Sequence, residues 1–340
     1  MKKSQMPELL KYVGEPSGIF GIKDYIFNDG RAKGVRAFDI KNGRGLELTV
    51  LPDRGLDIAY LSYQGNNIGF MSKAGISSPN FFVENEVTGF LRQFFGGFMT
   101  TGGISHAGPP AVRNGRSNGL HGVIDNSPAE QVNVYTEVHD DELILCVSGH
   151  LREAELFGDN LHLSRIVMVN TESNVITIKD TVENRGFRPS PVKILYHINF
   201  GYPMLNAGSR LYFSATDVIP RDKYAQIGID HYQDIDAPTI GFHEQCFFHT
   251  GGEADAFAMI HNEKLGIAAV VHYDRTQCPL LCEWKSMAAG DYVLGLEPSS
   301  PGVFNQPEET YILAGVETMS YQVSIEITDV VSVIDRYKGT

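Results

Sequence analysis

Proton transfer near neutral pH calls for histidines or carboxylates drawn away from water. Three segments of this 340-residue sequence supply them. Residues 96–122 read GGFMTTGGISHAGPPAVRNGRSNGLHG, rich in Gly, Ser and Asn, and carry His106, Arg113, Arg116, Asn118 and His121. A long irregular stretch among strands reads as a functional loop, and Gly119 and Gly122 let backbone or ligand come close to His121. Residues 194–203, ILYHINFGYP, set His197 in an apolar strand, where Leu195 and Asn199 share its face by alternation. Residues 291–301, DYVLGLEPSSP, end an apolar strand on Glu297, just before Pro298. Burial there would raise the carboxyl pKa by desolvation and make it a base near neutrality. Taken one at a time, each has a plainer reading: an incidental loop histidine, a hydrogen-bonded core histidine, an exposed strand-end glutamate. Trp284, the single tryptophan, is either core or a stacking platform for a sugar face.

The elements that must position these groups are strands. Residues 44–61, 132–151, 163–182, 256–273 and 310–331 each show two alternating apolar runs around a polar turn, such as Asp140-Asp141 or the stretch 171–174. Strands of roughly 5–8 residues at hairpin spacing predict an all-β antiparallel sandwich or barrel. No run of strands alternating with long helices suggests a parallel α/β fold, and no GxGxxG or GxxxxGK[ST] occurs. Helix is expected only at residues 7–13 and 79–95, the latter with Asn80 as N-cap. Without a domain linker, residues 1–340 read as one domain.

Composition bounds the partners. The net charge is -13, with 28 basic and 41 acidic residues and no basic footprint, so a nucleic-acid partner is not expected. The apolar stretches are too short for a bilayer span, so no membrane partner is expected either. MKKSQMPELLKYVGEP lacks the apolar run of a secretory signal. Cys146, Cys246, Cys278 and Cys282 lack paired metal-type spacing and read as buried thiols in a reducing, cytoplasmic setting. No metal site and no cofactor is expected.

Taken in order, the motifs LPDRGLDI, GGFMTTGG, GLHG, YHINFGYP and GLEPSS, with His197 76 residues after His121 and Glu297 100 further on, resemble the aldose 1-epimerase (galactose mutarotase-like) superfamily. The resemblance spans about Phe38 to Ile327 and is nearest the superfamily's uncharacterised domain-of-unknown-function branch. It implies a β-supersandwich with an open cleft on one sheet and a monosaccharide as partner; a homodimer is compatible with it. The implied activity is interconversion of α and β anomers without a cofactor. Glu297 would take the C1 hydroxyl proton, His197 would protonate the ring oxygen, and His121 would bond the substrate near C1. Arg54 and Glu244 are the substrate-binding candidates the resemblance implies; His106, Asn199 and Trp284 join them from the segments described above. His197-Ile198-Asn199-Phe200 departs from the family order of His, small residue, Tyr, Phe, Asn, and Val123 stands where the first motif has a second glycine. The resemblance therefore carries no sugar identity; deoxy, branched, sulfonated and uronic sugars and ketoses all stay open. Two other readings share the scaffold. One is a non-catalytic carbohydrate-binding or sensing protein. The other is another sugar isomerase, a lyase or a hydrolase, the last needing Asp217, Asp222 or Glu283 to face Glu297.

Overall fold

Alternating runs fold as strands because each pleat buries one face, and in this protein two sheets bury theirs against each other. The structure, a computed structural model, describes residues 1–113, 115–304 and 310–338. One sheet has twelve strands. Its central path runs Leu46–Leu51, Asp57–Tyr63, Met99–Ile104, Ser190–Phe200, Asp291–Ser299, Leu280–Ala288 and Gln245–Thr250. The second has eight, with Glu142–Ala154, Asn160–Asn170, Val175–Asn184 and Thr318–Thr328 side by side. All the ladders are antiparallel. The core between the sheets joins Val50, Ile58 and Ile198 of the first to Val147, Val167 and Ile325 of the second. The architecture is an all-β sandwich with few short helices. The hairpins expected around Asp140-Asp141 and around 171–174 form there, with Asp140 and Asp141 both at positive φ as a tight hairpin turn demands.

The two sheets also share a buried polar knot. Arg165 holds Asp180 with both ends of its fork, at 2.8 and 2.6 Å, and reaches across to Asp57 at 3.0 Å and the Thr101 hydroxyl at 2.6 Å. The Tyr196 hydroxyl donates to Asp180 at 2.8 Å. Tyr196 precedes His197, so this knot fixes the strand that carries the histidine.

Two expectations need correction. Residues 96–122 are not all loop: Met99–Ile104 is a fully buried central strand. Its Thr and Gly residues are small enough to be buried on both faces, which erases alternation. At Gly103, φ is +136° and an added Cβ would lie 2.4 Å from the Lys193 carbonyl oxygen. The helix expected over 79–95 is a 3-10 turn, Pro79–Phe81, and a six-residue helix, Glu86–Leu91. Asn80 is not its N-cap; the Ser78 hydroxyl accepts from the Asn80 amide instead. Beyond the helix, Gln93 donates to the Phe81 carbonyl at 2.8 Å. The expected helix at 7–13 is limited to Met6–Leu9. Among the described residues, no helix is long and apolar enough to cross a membrane.

Candidate active site

The outer face of the twelve-stranded sheet carries the chemistry. Along Ser190–Phe200, Ile194, Tyr196 and Ile198 enter the core, so Leu195, His197 and Asn199 face outward. Leu195 pairs with Ser299 and Ile198 with Leu296, a register that sets His197 opposite Glu297. Glu297 pairs with Cys282, and Cys282 with Phe248. One transverse row over four strands therefore reads His197, Glu297, Cys282, Phe248. The next row sets Asn199 against Gly295, then Trp284, then Cys246. His197, Glu297, Cys282, Phe248, Trp284 and Cys246 floor a cavity of about 440 Å³, within the range of roughly 300–1,000 Å³ common for small-molecule sites. Helix Glu86–Leu91 and the turn around His121 wall it.

The two histidines are locked in opposite tautomers. Asn199 uses its amide N–H groups on the carbonyls of Gly96 and His197, at 3.1 and 3.0 Å. Its Oδ1 then faces His197 Nδ1 at 2.6 Å and must accept. The hydrogen is thus on Nδ1, and Nε2 points at Glu297 Oε1, 3.2 Å away. That pair is close without being aligned as a hydrogen bond, and Oε1 has no bonded partner. At His121 the backbone N–H of Gly108 donates to Nδ1 at 3.3 Å. A backbone N–H can only donate, so the His121 hydrogen sits on Nε2. The two rings meet edge to face with centroids 5.8 Å apart.

Burial dominates the electrostatics. Desolvation pushes Glu297 well above the usual carboxylate range, with the Glu244 charge adding and Arg221 opposing. Desolvation lowers His197 to about 4, with the Asn199 bond and Glu244 opposing. His121 is held well below its ordinary value by burial and by repulsion from His197 and His106. A carboxylic acid beside a neutral imidazole is a state poised for proton exchange.

Gly295 makes room for the carboxyl. A Cβ there would lie 2.3 Å from Glu297 Oε1 and 3.3 Å from Trp284 Cβ. Gly295→Ala is therefore expected to swing the Glu297 carboxyl off His197 and lower kcat by about tenfold or more, as misplacement of a reacting group does. Stability should change little; a kinetic assay and a thermal melt on the same sample check both halves.

The expected site residues do not all gather here. His121, His197, Glu297, Glu244 and Trp284 line the cavity. Asn199 lies beneath it as the partner of His197. Glu244 stands at the rim, accepting from Arg221 at 2.9 Å and from Trp284 Nε1 at 2.8 Å. Arg54 is misplaced by the resemblance: it is fully buried and donates to the carbonyls of Asp125, Ser77 and Gln93, at 2.8, 2.8 and 3.1 Å. Those bonds turn it into a clamp behind the cleft rather than a ligand for hydroxyls. His106 is buried outside the lining, its carbonyl packed toward Gly122. Glu283 faces the other way, bonded to His249 at 2.9 Å, and Asp222 caps the helix Lys223–Gly228. Neither these two nor Asp217 lines the cleft beside Glu297. Arg221 was not foreseen. Its guanidinium meets Cys246 Sγ at 2.8 Å, Glu244 at 2.9 Å and Asp222 at 3.0 Å. A lone arginine at a strand end carries no signal in sequence. Among the described residues, no group of three or more His, Cys, Asp or Glu is placed to hold a metal ion.

The fold resembles that of solved proteins. A putative aldose 1-epimerase from Klebsiella pneumoniae subsp. pneumoniae MGH 78578 superposes with a TM-score of 0.87 at 23% identity, over 94% of this chain and 87% of that one. A galactose mutarotase-like protein from Clostridium acetobutylicum gives 0.65 at 14% identity, over 92% and 100%. Galactose 1-epimerase from Lactobacillus acidophilus NCFM gives 0.61 at 15%, over 91% and 99%. At these identities the likeness is one of fold. No curated protein matches the sequence. The family described as a domain of unknown function (DUF4432) matches residues 32–327, and the chain belongs to that family, on the aldose 1-epimerase and galactose mutarotase-like fold.

Proposed function

We propose that the protein is an aldose 1-epimerase that uses His197 and Glu297 as one proton-sharing pair. The observation that carries this reading is the opposition of His197 Nε2 and Glu297 Oε1 at 3.2 Å inside a cavity open to a small molecule. The pair shares a single exchangeable proton. When it sits on His197, Glu297 is a carboxylate. Glu297 then takes the proton from the C1 hydroxyl while Nε2–H gives its own to the ring oxygen, and the C1–O5 bond breaks. What remains is the aldehyde, a neutral Glu297 acid and a neutral His197, which is the charge state that burial favours. Rotation about C1–C2 presents the other carbonyl face, and the same two transfers run backward to close the ring. His121 Nε2–H is a fixed donor to the C1 or ring oxygen. A second proton on His121 would cost it the Gly108 bond, so it serves as a hydrogen-bond donor and not as the acid. Acid–base exchange suffices for this reaction, and each transfer contributes typically ~10²–10⁴-fold.

The direct test is decay of optical rotation of freshly dissolved anomers over a panel of aldoses. Acceleration proportional to enzyme concentration is the expected result; no acceleration of any sugar contradicts it. The pH profile of that rate follows from the pair. Because His197 is lowered to about 4, the second proton joins the pair only in that region, so the acid limb should lie near pH 4 and not near ~6.5, the ordinary histidine value. Because Glu297 is raised, the pair keeps its proton well above the usual carboxylate range, and the rate falls only on further alkalinisation. Asn199→Asp places a carboxylate on His197 Nδ1–H and should move the acid limb upward. An unmoved limb would show that His197 is not the titrating group.

A further inference from the structure

The cleft is apolar where a sugar would carry its hydroxyls beside the reacting bond. Phe94 packs on His197 with centroids 5.0 Å apart, and Phe90 on His121 at 5.0 Å. Phe304 approaches His121 at 6.4 Å and stands against Phe248 at 5.3 Å. A ring whose C1 and O5 lie at the histidines and Glu297 sets its C2 on one side and its C5 substituent on the other, against these faces. Among the described residues, the other charged groups lining the cavity are Arg221 and Glu244 at the rim. Glu244 and Asp222 both lie within 3.0 Å of the Arg221 guanidinium, so its charge is already answered and offers little to a phosphate or carboxylate. The Glu244 carboxylate would repel such a group. In that pose the hydroxyls at C3 and C4 would face the open mouth and this polar rim.

We propose that the substrate is a neutral deoxy aldose, lacking the hydroxyl at C2 or on the C5 substituent, the two positions that meet the aromatic walls. This rests on the epimerase reading and deepens it. A hydroxyl forced against those walls has no partner, a penalty worth about tenfold or more in affinity, whereas a hydrogen or methyl in its place packs on the rings.

Trp284 is the only tryptophan and lines the cavity, so its fluorescence reports occupancy independently of turnover. The experiment titrates that signal and measures anomer exchange for matched pairs: 2-deoxy-D-glucose against D-glucose, 2-deoxy-D-ribose against D-ribose, L-fucose against L-galactose. The expected result is half-saturation at least tenfold lower, and kcat/KM at least tenfold higher, for the deoxy member of one or more pairs, with no binding of D-glucose 6-phosphate. Parent sugars equal or better in every pair, with exchange accelerated, overturn the deoxy class and leave the epimerase standing. Deoxy sugars bound selectively but never accelerated support the class and overturn the epimerase. No binding of any member overturns both.

Discussion

Glu297→Gln is expected to abolish most of the anomer exchange, lowering kcat by about 10²–10⁴-fold, while the fold stays intact. The two halves have one cause. Glutamine copies the shape of the protonated carboxyl, and burial already favours the protonated form at this position. No buried charge is created or stranded, so the melting temperature should hold or rise slightly. What is lost is the capacity to take a proton from the C1 hydroxyl and return it. A non-catalytic sugar receptor on the same scaffold predicts the reverse pattern, with binding altered modestly and no exchange to lose. Exchange rates on wild type and variant, alongside Trp284 fluorescence, separate the two. Unchanged exchange in a folded Glu297→Gln protein would remove Glu297 from the mechanism.

Arg165→Met is expected to cost about 3–5 kcal/mol of stability, the range found when one partner of a buried ion pair is removed. Arg165, Asp57 and Asp180 are all fully buried. Deleting the guanidinium leaves two carboxylates facing each other through the sandwich, along with the Thr101 and Gly55 oxygens that Arg165 now satisfies. Urea unfolding measures the loss, and a change below about 1 kcal/mol would show that the knot does not hold the sheets together. Activity should fall in step with any residual distortion, because Tyr196 is tied to Asp180 and is the immediate neighbour of His197.

Strand patterning makes the architecture legible, and also the face on which His197 lies; the meeting of His197 with Glu297 follows only from the family resemblance. A period of two puts Leu195, His197 and Asn199 on one side, and the structure keeps them there. Met99–Ile104 escaped because a strand buried on both faces, built of Thr and Gly, has no polar side to alternate with. Alternation puts Asn199 on the cleft face, where a polar group suggests a sugar contact. The geometry shows instead that its three bonds go to His197 and to Gly96, fixing a tautomer. Arg54 shows the limit of carrying a residue by position. The turn between Leu46–Leu51 and Asp57–Tyr63 aims its side chain inward at three carbonyls, and no local pattern in LPDRGLD encodes that direction. Arg221 and the Phe90 and Phe94 wall lie in separate parts of the chain, 127 residues apart in the case of Phe94 and Arg221, and only tertiary folding brings them to one cavity.

The most direct measurement is selective-inversion NMR on an equilibrated aldose solution containing the wild-type protein, following magnetisation passed from the α to the β anomeric proton. The account predicts transfer that grows linearly with enzyme concentration at constant anomer populations, with no new product signal. Transfer no faster than in buffer for every aldose tried, deoxy sugars included, would contradict it.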